Sequence, residues 1–425
     1  MLRQVYEQRR IGWQLVSGLI TGLDRLRIFV RLARRLVSQQ TQERPLGQPG
    51  GSQPTSSTGG FRGVQRVLVC DLTVPTPDRD SGSARMNALI ELLVGMCEVV
   101  TFLPLRRGRF EAYSRALRRR GVDVIDESLA PSSWILRSRK GMYDLVILSR
   151  LTVAEALIRP VRRYQAQARV LFDTVDVASL RAERELAVTG SSSLGSPVRL
   201  RNRELRVMRE ADATIAVSER EAEIIRRLDH RVETVVLPNV HDLRRREAPE
   251  FHQRSDLLFV ANLEHAPNRD AVLWFARDVL PLIRKRRDVK LNVVGAGATR
   301  ALISDCGEYV HFHGWIREVE PHFDRARVGV VPLRYGAGVK GKLGQALALG
   351  LPTVTTTVGA EGMDIIDGVD ALIRDDSRGF ADAVLQLYED ADVWDRVCER
   401  GLAAAAERWS STAMRERLSL LLARN

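Results

Sequence analysis

The stretch PLRYGAGVKGKLGQALALGLPTVTT, residues 332–356, decides how the chain is read. ARVGVVPL, which leads into it, is rich in Val and reads as a buried strand. KLGQALALG reads as a helix that stops at Gly350, and PTVTTT as the next strand. Gly336, Gly338 and Gly341 let the backbone turn sharply and approach a ligand closely. A helix N-terminus offers unpaired N–H groups and a partial positive charge, and Arg334, Lys340 and Lys342 add full charges. The combination suits a phosphate-bearing ligand.

Strands alternate with helices on both sides of this stretch. QRVLVCDL, EVVTFLPL, YDLVILSR, ARVLFDTVD and ETVVLPN supply strands of a first half, with helical sequence between them. DLLFVANL, VKLNVVGAG, YVHFHGW, VGVVPL and PTVTTT supply those of a second. The pattern predicts two mostly parallel sheets covered on both faces, with a ligand cleft between the halves beyond the strands' carboxyl ends. The expected organisation is a basic amphipathic helical segment over 1–40, a Gly/Ser/Gln/Pro-rich linker over 41–60, a first domain over 61–240, a connection over 241–254 and a second domain over 255–425.

Composition narrows the function. At 425 residues, 44% apolar and 28% charged, the chain suits two globular domains. Its four cysteines lie far apart with no C-x-x-C, which excludes a zinc knuckle, a thioredoxin motif and a disulfide scaffold. The net charge of +12 falls on residues 1–250, while 251–425 is close to neutral. That asymmetry does not call for a nucleic-acid coat and leaves open a basic face on the first half, where an anionic or membrane-linked substrate fits at least as well. Charge alone does not choose, and no nucleic-acid partner is expected. The apolar run of 11–23 is too short for a spanning helix and carries no clear cleavage site, so a cytoplasmic protein is expected. The arginines after that run point to peripheral contact with the inner face of the membrane, or to a partner-binding tail. No full G-x-G-x-x-G and no Walker A pattern is present.

The ordered set VPTPDRDSGSAR, LFDTVDVASLRAERE, ADATIAVSERE, LPNV, HAPNRDAVLWF, HFHGW, PLRYGAGVKGKLGQALALGLPTVTT and GAEGM resembles retaining family-4 glycosyltransferases of the GT-B fold. It is most similar to bacterial members that build surface polysaccharides or glycoconjugates. The resemblance implies two Rossmann-like domains facing across a cleft. It also implies a nucleoside diphosphate sugar as donor on the second domain, no further cofactor, and a saccharide or lipid-linked glycan acceptor on the first. Gly82 stands where such enzymes turn a glycine loop toward the diphosphate. Residues 334–345, with Arg334, Gly338, Lys340, Lys342 and Gln345, stand where they hold the diphosphate and ribose. The common pattern has two glutamates there; this chain has Ala337 and Gln345. The amide oxygen of Gln345 can still meet a hydroxyl.

The remaining candidates come from the residues themselves. Asp173 and Asp176 follow a strand end and are expected to position the acceptor or support the reaction centre, against a plain turn or helix-capping role. With Lys342 they are the candidate catalytic set. Gly295 and Gly297 form a partial glycine fingerprint after a strand. His313 and Gly314 of the HGW loop are candidates for base or phosphate contact, against strand-end packing. Glu361 of GAEGM is a candidate near the sugar. Asp78 and Asp80 are read as loop or acceptor chemistry, and no metal site is expected. The reaction read from this set is retaining hexosyl or other glycosyl transfer to a hydroxyl, in cell-envelope synthesis. The rivals are a catalytically weak sugar-nucleotide-binding subunit and a nucleotide-sugar epimerase.

Overall fold

The computed structural model describes residues 64–107, 110–126, 130–241, 243 and 249–423. The basic segment and the linker expected over 1–60 lie outside these residues. In the first half, β1 (Arg66–Asp71), β2 (Val99–Pro104), β3 (Asp123–Val124), β4 (Leu145–Ser149), β5 (Arg169–Asp173), β6 (Ala213–Ala216) and β7 (Thr234–Val236) form one sheet of order β3-β2-β1-β4-β5-β6-β7. In the second half, β8 (Ser255–Val260), β9 (Leu291–Val294), β10 (Val310–Gly314), β11 (Ala326–Val331), β12 (Thr353–Thr355) and β13 (Leu372–Ile373) run in the order β10-β9-β8-β11-β12-β13. Every strand pair is parallel.

Alternation along each strand fills both faces. Val67 and Val69 of β1 join one core with Leu89, Leu93 and Phe102, while Leu68 and Cys70 join another with Val146 and Phe172. In β8, Leu257 and Phe259 face the main core of the second half, and Leu258 turns to a smaller cluster with Phe323 and Leu351. Both faces are dry. That is why the strands read as nearly continuous apolar runs.

The order of each sheet reverses beside its first strand, between β1 and β4 and between β8 and β11. The loops leaving these strands therefore diverge and open a crevice at each switch point. Helix α1 (Ser81–Val94) follows β1, α2 (Glu111–Arg119) follows β2, α3 (Ala178–Thr189) follows β5 and α4 (Gly341–Ala348) follows β11. Gly350, at φ 67°, ends the turn after α4 in the left-handed conformation expected of a helix stop.

The closing helices divide between the halves. Ala391–Trp409, α5, packs on α4 in the second half. Ser411–Ala423, α6, returns to the first, where Met414, Leu418, Leu421 and Leu422 enter the core beside Leu89 and Leu93. The Val64 amide donates to the Leu422 carbonyl at 3.5 Å, and Arg169 to that of Leu421 at 3.2 Å. The sequence expected all closing helices in the second domain; the apolar face of α6 instead finds its partners in the first.

Candidate functional site

A cleft of about 1200 Å³ lies between the halves, walled by the loops after β1, β4, β5, β8, β9, β10 and β11. Two helix starts meet across it. The N-terminus of α4 comes so close to that of α1 that a Cβ on Gly341 would stand 2.8 Å from Ser81 Cβ. A Cβ on Gly338, at φ 67°, would stand 3.0 Å from Asp176 Cβ. Glycine is thus required at both points of the loop, by positive φ at one and by the opposite half at each.

Lys340 is buried and donates to the carbonyls of Ala337 and Gly338, so it ties the glycine loop to itself. Lys342 reaches Asn268 Oδ1, and its Nζ lies 5.4 Å from the Phe259 ring centroid. Asn268 in turn donates to the Asn262 carbonyl at 2.6 Å, which fixes the lysine's partner. Burial pushes the Lys340 ammonium down to about 8; burial and then the charge of Lys340 push Lys342 down to about 7. Both lysines line the cleft, with Gln345 one turn on from the start of α4. A diphosphate arriving there would add counter-charge to both ammonium groups.

The two candidate aspartates separate. Asp176 lines the cleft, paired with Arg181. Asp173 is fully buried: Arg85 donates to it at 2.8 Å and Ser149 at 3.1 Å. Its carboxylate points into the first half and lies off the cleft wall, which corrects the expectation that both would face a ligand. Gly82 sits in the first turn of α1, where a Cβ would stand 3.1 Å from Arg150 Nη2. Arg150 also donates to Asp71 at 2.8 Å, joining β4 to β1 at the switch point.

Gly295 lines the cleft, yet its chief reason to be glycine is internal. At φ 145°, a Cβ would lie 2.0 Å from the Ala261 carbonyl oxygen. At Gly297, φ 92°, it would lie 2.5 Å from the Glu264 amide nitrogen. His313 bonds Asn292 Oδ1 at 2.8 Å and stacks edge-on to His322 at 4.9 Å, away from the cleft wall, so the packing alternative describes it. Gly314, at φ 71°, accepts from the Gly295 amide at 2.8 Å and turns the chain toward Trp315, Ile316 and Arg317, which do line the cleft. Arg334 makes a bidentate pair with Asp270, off the wall. Glu361 is held by Arg184 of α3, off the wall as well.

Some contributors escaped sequence reading. Arg184 gave no local signal, because it acts on a residue far along the chain; Asn268 was legible only as one of the polar residues of ANLEHAPNRD after β8, not as the partner of Lys342. Glu221 did carry one: Ser218 and Glu221 make an S-x-x-E pattern before an apolar helix. The Ser218 hydroxyl caps that helix, and the Glu221 carboxylate accepts the amides of Val217 and Val177, anchoring the loop that bears Asp176. Burial pushes its carboxyl up to about 7. His241, on the connection between halves, fills the space left by Gly344, whose Cβ would fall 2.3 Å from its Nε2. Burial pushes this imidazole down to about 4.

Among solved structures, Anabaena HepE in complex with UDP and glucose superposes with a TM-score of 0.66 at 14% identity, covering 84% of this chain and 99% of that one. Sucrose-phosphate synthase from Thermosynechococcus elongatus gives 0.63 at 14%, covering 84% and 98%. The chain has the GT-B fold. Its second half carries the matching family signature: residues 254–390 fit the family described as "Glycosyl transferases group 1". TarM shares the fold at 14% identity over 69% of this chain and 57% of its own, with a TM-score of 0.57. No curated protein sequence matches. In the GT-B frame the glycine–lysine loop and α4 stand on the second domain, facing the first across the cleft. Among the described residues no helix is long and apolar enough to cross a membrane.

Proposed function

We propose that the protein is a glycosyltransferase that moves a sugar from a nucleoside diphosphate sugar to a hydroxyl acceptor. The observation that carries this reading is the meeting of the α1 and α4 N-termini at the buried Lys340 and the half-buried Lys342 of the cleft. As the glycosidic bond breaks, the departing diphosphate gains charge. Helix N–H groups, Lys340 and Lys342 strengthen their hold on it as that charge grows, which lowers the barrier. Gln345 is assigned to the ribose and Asp176 to the reaction centre. Residues 255–410 are read as the donor side and 61–240, with α6, as the acceptor side.

The finer reading follows the resemblance: retention at the anomeric carbon, a hexosyl or related sugar, and a place in cell-envelope glycan synthesis on the cytoplasmic face, with peripheral membrane contact through 1–40. The acceptor is a saccharide or a lipid-linked glycan. UDP is the first nucleotide to test, since HepE structures contain UDP and UDP-glucose. No metal role is assigned. Asp78 is engaged by Tyr113, and Asp80 caps α1 through the Ser83 amide, so both aspartates have other work.

The test is a calorimetric titration of nucleoside diphosphates and their sugars, followed by mass analysis of products formed with an envelope lipid and glycan extract. Donor binding with an acceptor gaining one sugar mass is the expected result. Binding without turnover favours the assembly-subunit reading, and a changed free nucleotide sugar favours the epimerase. No nucleotide binding overturns the proposal.

A further inference from the structure

Asp176, the aspartate on the cleft wall, is reached through a strained residue. Val175, just before it, is held at φ 62°. A β-branched side chain is an outlier in the left-handed region and persists there only where its surroundings fix it. Strand β5 ends at Asp173, so Thr174–Val177 is the turn that carries the chain from the sheet into α3.

One buried carboxylate grips this turn at both ends. Glu221, 4% exposed, sits on the helix Glu219–Leu228. It accepts from the Thr174 hydroxyl at 3.3 Å, before Val175, and from the Val177 amide at 3.0 Å, after Asp176. The Thr174 hydroxyl is shared with the Ile215 carbonyl at 3.1 Å. The same carboxylate accepts from the Val217 amide at 2.9 Å, on the loop after β6. A second buried carboxylate, Glu204, takes the next two amides, Ala178 at 2.6 Å and Ser179 at 3.2 Å. The first amides of α3 are therefore already bonded within the first half.

Both loops that Glu221 ties together meet the second half. A Cβ on Gly338 would stand 3.0 Å from Asp176 Cβ and 3.3 Å from the Val175 carbonyl oxygen. Ser218, beside Val217, would stand 2.9 Å through its own Cβ from one on Gly362. Gly338 belongs to the glycine–lysine loop and Gly362 to the GAEGM turn.

We propose that Glu221 is a positioning residue: its carboxylate locks the Asp176 turn and the Ser218 loop into one face and so holds Asp176 in place against the glycine–lysine loop. The inference rests on the glycosyltransferase reading and adds a residue to the same site. Glu221 is off the cleft wall and acts through Asp176. Two amides and a hydroxyl point at it, which calls for two acceptor oxygens. Glutamine has one and would turn an N–H toward the remaining donor.

The test is a double-mutant cycle on the full chain, with Glu221→Gln and Gly338→Ala made singly and together and read by thermal melts. With the turn locked, the added methyl must push against it; with the turn released, the turn yields. The drop in melting temperature caused by Gly338→Ala should therefore shrink to about half or less in the Glu221→Gln background. With UDP-glucose as donor and the envelope extract as acceptor, Glu221→Gln should lower kcat roughly tenfold and leave the donor KM unchanged, a split that a general loss of stability does not produce. Thr174→Val, which removes the hydroxyl arm alone, serves as the second variant should Glu221→Gln not fold. Additive melting shifts, or a wild-type kcat in folded Glu221→Gln, overturn the proposal. The melts decide it whether or not UDP-glucose is the donor. Coupled melts with no UDP binding by calorimetry keep the hold of Glu221 on the turn and sink the transferase reading instead.

Discussion

Arg184 and Glu361 join the two halves. The guanidinium, on α3, grips both carboxylate oxygens of Glu361 and also donates to the Gly336 carbonyl at 2.8 Å. Among the described residues this is the only ion pair between the first sheet's half and the second's. Burial pushes the Glu361 carboxyl up, but hydrogen bonds and charge from Arg184 outweigh it, so the group lies below its ordinary range. The pair therefore anchors the start of the glycine loop to the opposite half.

Arg184→Ala should weaken UDP binding about tenfold, since a charge-assisted contact contributes roughly 1.5–3 kcal/mol and part of it is felt at the loop. The exchange Arg184→Glu with Glu361→Arg should recover most of the loss. Calorimetry on the single and exchanged variants checks this. Wild-type affinity in Arg184→Ala would show that the pair and the loop are uncoupled.

Lys342 and Lys340 give the cleft a pH signature. With ammonium groups pushed down to about 7 and about 8, nucleotide-free protein loses these charges as pH rises through that window. A diphosphate favours the protonated forms, so UDP binding should take up protons and weaken between about pH 7 and about pH 9. Stability runs the other way. The unfolded lysines keep their protons to about 10.4 while the folded ones have shed them, so their contribution to stability rises with pH above about 7. Lys342→Met should bind UDP more weakly at pH 6.5 and flatten both trends. Calorimetry in buffers of different ionisation enthalpy measures the proton uptake; a trend unchanged in the variant would remove Lys342 from the site.

Asp173 and Asp176 should behave oppositely despite being three positions apart. Asp173→Ala leaves the Arg85 guanidinium buried without its carboxylate, and breaking such a pair costs about 3–5 kcal/mol. Asp176→Asn should keep the wild-type melting temperature and lose transfer. Melting curves beside product assays separate the two. A stable, inactive Asp173→Ala would restore that residue to the reaction.

Gly295→Ala places a methyl 2.0 Å from a backbone oxygen, whereas Gly307→Ala, also at positive φ, meets nothing within 4 Å. The second should show the conformational strain alone, about 1–2 kcal/mol. The first should lower the melting temperature much further or abolish soluble expression. Equal melting of the two would mean that the β8 and β9 loops give way at little cost.

How far the sequence reached depends on the range of the interaction concerned. The βαβ order, the strand at 326–331, the stop at Gly350 and the glycine–lysine loop are local, and each was legible because apolar period and glycine position act within a few residues. The two-residue strand Leu372–Ile373 was not, because so short a run carries no period. Two parallel sheets with a cleft between them followed from those patterns. What the tertiary structure decided was direction. Asp173, the last residue of β5, turns inward to Arg85, while Asp176 in the next loop turns to the cleft, and both looked alike as strand-end acids. Arg334 and Glu361 were legible as charges beside the loop, but Asp270 and Arg184 already hold them. Side-chain partners that lie 64 and 177 positions away leave no period to read, and only the folded chain brings them within hydrogen-bond reach.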